Sequence, residues 1–131
     1  MKIKYSVNRN PRVIVIQKIY SKIYNKDIEL VFPSHRFKKF IKDVVNGTIE
    51  REELINDEIK KHLDRDVKIK NLDKVFEVII KSAIFELLYK PNTSSSIIIK
   101  EYLNASNFFI NDSQTKFLNA ILDKISKKIR Q

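Results

Sequence analysis

LDKVFEVIIKSAIFELLY, residues 72–89, is apolar on almost every side when it is wound as a helix. Leu72, Phe76, Ile79, Ile80, Ala83 and Leu87 fall on one face, and Val78, Ile84, Phe85 and Leu88 carry the apolar character most of the way round. Lys74, Glu77 and Lys81 leave a narrow polar strip. Asn71 precedes the segment as a start signal and Pro91 follows it as a stop. A helix that is apolar nearly all round cannot lie on a surface, so it belongs at the centre of a domain with other helices around it.

The flanking sequence supplies those helices. Asn10 before Pro11 reads as an N-cap with proline at the first helical position, opening a helix that runs to about Asn25. Its apolar stripe is Ile16, Ile19, Tyr20 and Ile23. A connector closes at Pro33, and Ser34 is expected to cap a second helix with Phe37, Phe40, Ile41, Val44 and Val45 inward, ending near Gly47. A third, acidic helix over about 50–63 offers Leu54, Ile55, Ile59 and Leu63. Beyond the central segment, Thr93–Ser96 reads as a polar loop and cap for a helix over about 96–109. Asn111 or Asp112 then opens a last helix reaching about Ile129. Residues 1–9 read as a flexible basic arm, and residues 1–131 as one domain without internal repeat.

Composition agrees with an all-α chain. A single glycine and three prolines in 131 residues are too few for many strands joined by tight turns. The absence of cysteine excludes disulfides, thiol catalysis and thiolate zinc sites, and suits a reducing, cytoplasmic setting. No apolar run is long enough for a signal peptide or membrane span. The net charge of +10 is unevenly placed. Residues 1–26 hold seven bases and no acid, residues 27–66 eight bases and ten acids, and residues 67–131 eleven bases and six acids. Basic ends flanking a mildly acidic middle suit a polyanionic partner.

Catalytic patterns are missing. One glycine cannot build a phosphate-cradling loop, and His35 and His62 stand alone, without metal-ligand spacing. Glu52/Glu53 and Asp57/Glu58 are adjacent pairs, which diverge by about 100° on a helix and cannot converge on one reacting atom. Serines 94–96 read as a cap. A binding protein without metal or cofactor is the expectation.

Two features stand out against this background. On the last helix, Phe117, Leu118, Ile121, Leu122, Ile125 and Ile129 form the core stripe, with Phe117 at its edge, Ala120 and Lys124 on the flank, and Lys116 and Lys127 farther round. An aromatic bordered by bases suits single-stranded RNA, the ring stacking on a base and the lysines meeting phosphates. A first-turn core anchor would give the same spacing. Second, Arg12 lies on the apolar side of the first helix, and Glu86 interrupts an apolar sector of the central one. Single buried ions are costly, so these two are expected to pair across the helix interface.

Three blocks in order carry a family likeness. Pro11-Arg12-Val-Ile-Val-Ile-Gln17-Lys-Ile-Tyr20 is similar to an opening Arg-x4-Gln-x2-Tyr pattern, and Ile80-Lys81-Ser82-Ala83-Ile84-Phe85-Glu86-Leu87 to a Leu-Arg-x-Ala-x-Tyr-Glu-Leu block. Ile99-Lys-Glu101 stands for Ile-Asn-Glu, and Phe117-Leu-Asn119-Ala-Ile-Leu122-Asp123 for Phe-Val-Asn-Gly-Val-Leu-Asp. The chain thereby resembles the NusB family of bacterial transcription antitermination factors over essentially its whole length. The resemblance implies a compact all-α bundle of about six to seven helices in two packed subdomains. It also implies a small-subunit ribosomal protein acting as NusE as partner, boxA-type single-stranded RNA of ribosomal leader transcripts as ligand, and assembly with the elongating RNA polymerase. By position, Lys2, Lys4, Arg9 and Arg12 would meet RNA phosphates, Lys116 and Phe117 would contact RNA, and Tyr20 would help form the partner-protein surface.

The chain departs from the pattern with a thinned N-terminal arginine cluster, Lys81 for Arg, Phe85 for Tyr and Ala120 for Gly. Lysine keeps the attraction to phosphate but loses the bidentate fork of arginine. Pairing of Arg12 with Glu86 would withdraw Arg12 from RNA. Two other functions fit a basic helical domain: a protein-interaction scaffold, or a NusB-like module serving an RNA methyltransferase, a family that continues into a catalytic domain where this sequence stops at Gln131. A homodimer of the free chain also remains open.

Overall fold

The computed structural model describes residues 10–62 and 72–130. Among them are six helices, α1 (Pro11–Tyr24), α2 (Lys38–Glu50), α3 (Glu52–His62), α4 (Lys74–Tyr89), α5 (Ser95–Ser106) and α6 (Asp112–Ile129). Lys2, Lys4, Arg9, Leu63 and Asn71, named above from sequence, lie outside the described residues.

The central segment takes the place its pattern demands. Helix α4 touches each of the other five helices, and every residue from Phe76 to Leu87 is buried. Around it, α1 packs on α2, α5 packs on α6, and α3 bridges α4 and α6. One continuous core joins the two groups, running from Val13 and Ile16 through Ile41, Val44, Ile55 and Ile59 to Ile98, Leu118 and Leu122. Each such side chain contributes on the order of 1.5–3 kcal/mol when taken from water, which is what holds a chain this poor in turn residues in one shape.

Local signals set most helix ends. The Asn10 side chain accepts from the backbone N–H of Arg12 and Val13, with Pro11 at the first turn. Ser94 caps α5 through the Ile97 N–H. Asn111 and Gln114 form a reciprocal capping box on α6. In α3, Glu52 and Glu53 stand at the start and Lys60, Lys61 and His62 at the end, matching the helix dipole at both termini.

Helix α2 differs from expectation at both ends. Ser34 is not its cap. A turn intervenes in which the Phe37 N–H donates to His35 Nδ1 at 2.9 Å and the Lys38 N–H to the His35 carbonyl at 3.1 Å. Phe37 therefore sits at the N-cap position and is exposed rather than inward. Gly47 does not stop the helix, which continues to Glu50, because the missing side chain there admits the Phe85 ring. Leu54, expected in the core, is exposed, whereas Ile55 and Ile59 are fully buried. Helix α1 buries more than its stripe, since Val13, Ile14, Val15 and Ile16 are all inside.

The polar strip of α4 also reads differently in three dimensions. Glu77 and Lys81 are buried, Lys81 being turned to α3, and Lys74 alone of the three is exposed. Lys81 is only 4% exposed, and its Nζ lies 2.9 Å from Glu77 and 3.2 Å from Glu52. Arg130, just past α6, is a further anchor. Its guanidinium donates to the carbonyls of Leu87, Glu86, Lys90 and Thr93, tying the end of α6 to the C-terminus of α4.

Candidate nucleic-acid interface

Asn10 and Pro11 start α1 so that Arg12, one residue on, turns toward α4. Its Nε donates to Glu86 Oε2 at 3.0 Å and its Nη2 to Oε1 at 2.7 Å, a two-pronged pair. The Glu86 side chain is wholly buried and that of Arg12 is 11% exposed. The guanidinium also lies over the Phe40 ring at 4.8 Å and near the Tyr102 ring at 5.4 Å. Burial alone would lower the pKa of Arg12, but the hydrogen bonds and charge of Glu86 outweigh it and the net shift is upward. A guanidinium so engaged has its fork taken inside the protein, and the structure places Arg12 in the interhelical core rather than on an open basic surface.

Tyr102 on α5 completes this buried group. Its hydroxyl has no well-directed hydrogen-bond partner among the described residues, although Glu86 and the Ser82 hydroxyl both lie beside it. Burial pushes the Tyr102 hydroxyl well above the ordinary tyrosine value, the negative Glu86 adds to the shift, and Arg12 partly opposes it.

Lys116 and Phe117 come from the first turns of α6. The capping box fixes that turn, and Gln114 Nε2 donates to Asp73 Oδ2 at 3.2 Å, joining it to the N-cap residue of α4. Phe117 is thereby set against Phe76, with ring centroids 5.6 Å apart and planes 22° from parallel. Phe76 is buried while Phe117 remains 41% exposed. The ring is partly packed and partly open. One side rests on the core, and the solvent-accessible part is held in a fixed orientation. Lys116, adjacent, is exposed and enters no ion pair among the described residues. A rigid half-open ring beside a free cation can stack on a base while a neighbouring phosphate is neutralised.

Tyr20 lies elsewhere, on the C-terminal half of α1. It is partly buried, and its ring is 5.6 Å from that of Tyr24, which is 78% exposed. Together with Ile16, Val75, Phe108 and Phe109 the two tyrosines line an open cleft of about 800 Å³. Such a surface suits protein side chains better than a charged strand. Among the described residues no group of His, Asp or Glu could hold a metal ion, and no helix is long and apolar enough to cross a membrane.

The model of the NusB family matches residues 4–127. This chain belongs to the NusB family. A NusB from Lysinibacillus sphaericus, a transcription antitermination protein, is 30% identical over 89 residues, covering 68% of this chain and 69% of its own length. In eight of the curated NusB relatives it matches, the aligned part spans 55–69% of their length. Among solved structures, T. maritima NusB superposes with a TM-score of 0.79 at 21% identity, over 92% of this chain and 91% of its own. A crystal structure of the antitermination factors NusB and NusE in complex with dsRNA gives a TM-score of 0.75 at 17% identity, over 92% and 96%. At such identities these structures speak to the fold, and the helices described above share the fold of those NusB structures.

Sequence reasoning missed the buried Lys81 and the Arg130 anchor. Periodicity marks a residue's face but not what lies opposite it, and backbone carbonyls leave no trace in a sequence.

Proposed function

We propose that this chain is a transcription antitermination factor that binds boxA-type single-stranded RNA of ribosomal leader transcripts together with a small-subunit ribosomal protein acting as NusE, and joins the elongating RNA polymerase in the cytoplasm. The observation that carries this reading is Phe117, half-exposed, stacked on Phe76 and flanked by exposed Lys116. Family membership and the partners in the NusB–NusE–dsRNA complex support it. In this reading Phe117 stacks on a base, and Lys116 with Lys2, Lys4 and Arg9 meets phosphates. The Tyr20–Tyr24 cleft receives the ribosomal-protein partner. The activity is binding, with no catalytic step and no cofactor.

The test is RNA binding with and without the partner, comparing a boxA-like strand with a scrambled strand across a salt series. Binding is expected to prefer boxA and to fall steeply with salt, because each neutralised phosphate of a single strand contributes a slope of about −0.7 in log K against log salt. Equal binding of both strands with a flat salt response would defeat the proposal in favour of a protein scaffold.

A further inference from the structure

The acidic middle of the chain conceals a basic cluster. From Leu30 to Lys42 there is no acid, and Arg36, Lys38, Lys39 and Lys42 are all exposed. They lie on the turn before α2 and on its first turns, where no acidic residue balances them. Lys38, Lys39 and Lys42 line a single surface depression. Its one carboxylate, Asp43, faces Lys90 at 3.5 Å. Aromatic rings are interleaved with these bases. Phe37 is 44% exposed, with the Arg36 guanidinium over it at 5.4 Å, and Lys42 Nζ lies 5.8 Å from the Phe32 ring. Four cations beside the positive end of a helix repel one another and that end, so the free protein bears a cost that a polyanion would relieve.

The position is separate from Phe117. Phe117 rests on Phe76, in the first turn of α4, whereas the depression borders Asp43 and its partner Lys90, the residue just after α4. Fourteen residues of helix at 1.5 Å each put the two places about 20 Å apart. We propose that Arg36, Lys38, Lys39 and Lys42, with Phe37, form a second single-stranded RNA surface, one that holds the strand beyond the element met at Phe117 without reading its sequence. An exposed ring among bases fits RNA better than an acidic protein, since stacking on Phe37 gives a strand something to bind besides charge. The inference rests on the RNA-binding function proposed above.

The experiment uses the full chain and two RNAs, a boxA-like strand of about 12 nucleotides and the same element within about 30 nucleotides of unstructured sequence, lengths that bracket one binding surface of this type. The wild type is expected to hold the longer strand at least about tenfold more tightly. The triple variant Lys38→Ala/Lys39→Ala/Lys42→Ala should lose that gain, keep its short-strand affinity, and show a long-strand salt slope shallower by about 2, as three lost phosphate contacts require. Phe37→Ala should remove part of the gain without changing the slope. All four side chains are exposed, and unchanged helical circular dichroism checks that the variants fold. An equal long-to-short ratio in wild type and triple variant overturns the second surface, as does equal weakening on both strands. A variant that keeps every RNA affinity but loses binding to the elongation complex also overturns it, and assigns the cluster to an acidic protein. A wild type that binds only the long strand, through these lysines, would instead remove the boxA function while leaving the second surface standing.

Discussion

A β-carbon placed on Gly47 would lie 2.3 Å from the edge of the Phe85 ring, closer than any two such atoms can stand. Relieving that clash requires the Phe85 ring or the two helices to shift. The ring is buried, 5.1 Å from the Tyr89 ring, with the Arg51 guanidinium on it at 5.9 Å. Helix α2 therefore approaches α4 as closely as glycine permits. Gly47→Ala is expected to destabilise the protein by about 1–3 kcal/mol through overpacking, although alanine in a helix interior is intrinsically better by roughly 1 kcal/mol. Chemical denaturation measures the outcome, and a variant as stable as wild type would mean that the helices separate freely.

The Arg12–Glu86 pair should behave as a unit. Removing either partner leaves a buried, uncompensated charge, at a cost of about 3–5 kcal/mol. Arg12→Ala with Glu86→Ala should cost clearly less than the two single changes added together. Arg12→Lys should rescue only in part, because an ammonium cannot engage both carboxylate oxygens at once. A double-mutant cycle by urea unfolding decides this, and additive effects would show that the pair is not coupled.

Of these two contacts the sequence made one legible and hid the other. The charges of Arg12 and Glu86 stood on apolar faces, and that conflict has few solutions, so their pairing could be expected from the one-dimensional pattern. The all-round apolar character of residues 72–89 likewise placed α4 at the centre. Gly47 was open to misreading because glycine is an ordinary helix stop, and only the opposing Phe85 explains its place inside α2. Ser34 looked like a cap by residue type, but the His35 turn delays the helix by three residues and turns Phe37 outward. The cations at 36–42 vanished into an average over residues 27–66, since the acids of α3 cancel them in sum but not in space. At the candidate site, Phe117 kept two meanings in sequence because both need the same edge-of-stripe position.

Tyr102 gives a prediction that depends on pH. Its hydroxyl is buried without a well-directed partner, so Tyr102→Phe should change stability by less than about 1 kcal/mol at neutral pH, well short of the loss expected for a satisfied buried hydrogen bond to a charged group. The folded-state pKa is raised above the unfolded value of 10.0, so the fold binds this proton more tightly than the unfolded chain does. That contribution is complete below about pH 10 and is lost as the pH climbs toward the folded value. Wild type should therefore lose more stability than Tyr102→Phe between pH 9 and 11. Parallel alkaline unfolding curves for the two proteins would refute a raised pKa.

Phe117 and Lys116 separate fold from function. Because the Phe117 ring is supported by Phe76 yet 41% exposed, Phe117→Ala removes only part of a core contact but the whole of a stacking surface. The variant should stay folded, with RNA affinity falling by about 1–3 kcal/mol, the value of one stacked base. Phe117→Tyr, which keeps a ring on Phe76, should restore most of that affinity. Lys116→Ala should weaken boxA-like and scrambled strands by the same factor, since a phosphate contact carries no sequence information. Titration of each variant with both strands, beside thermal melts, gives the answer. If Phe117→Ala unfolds the protein, or loses stability and RNA affinity in step, the ring is a core anchor. If Lys116→Ala instead changes the preference between strands, that lysine reads a base.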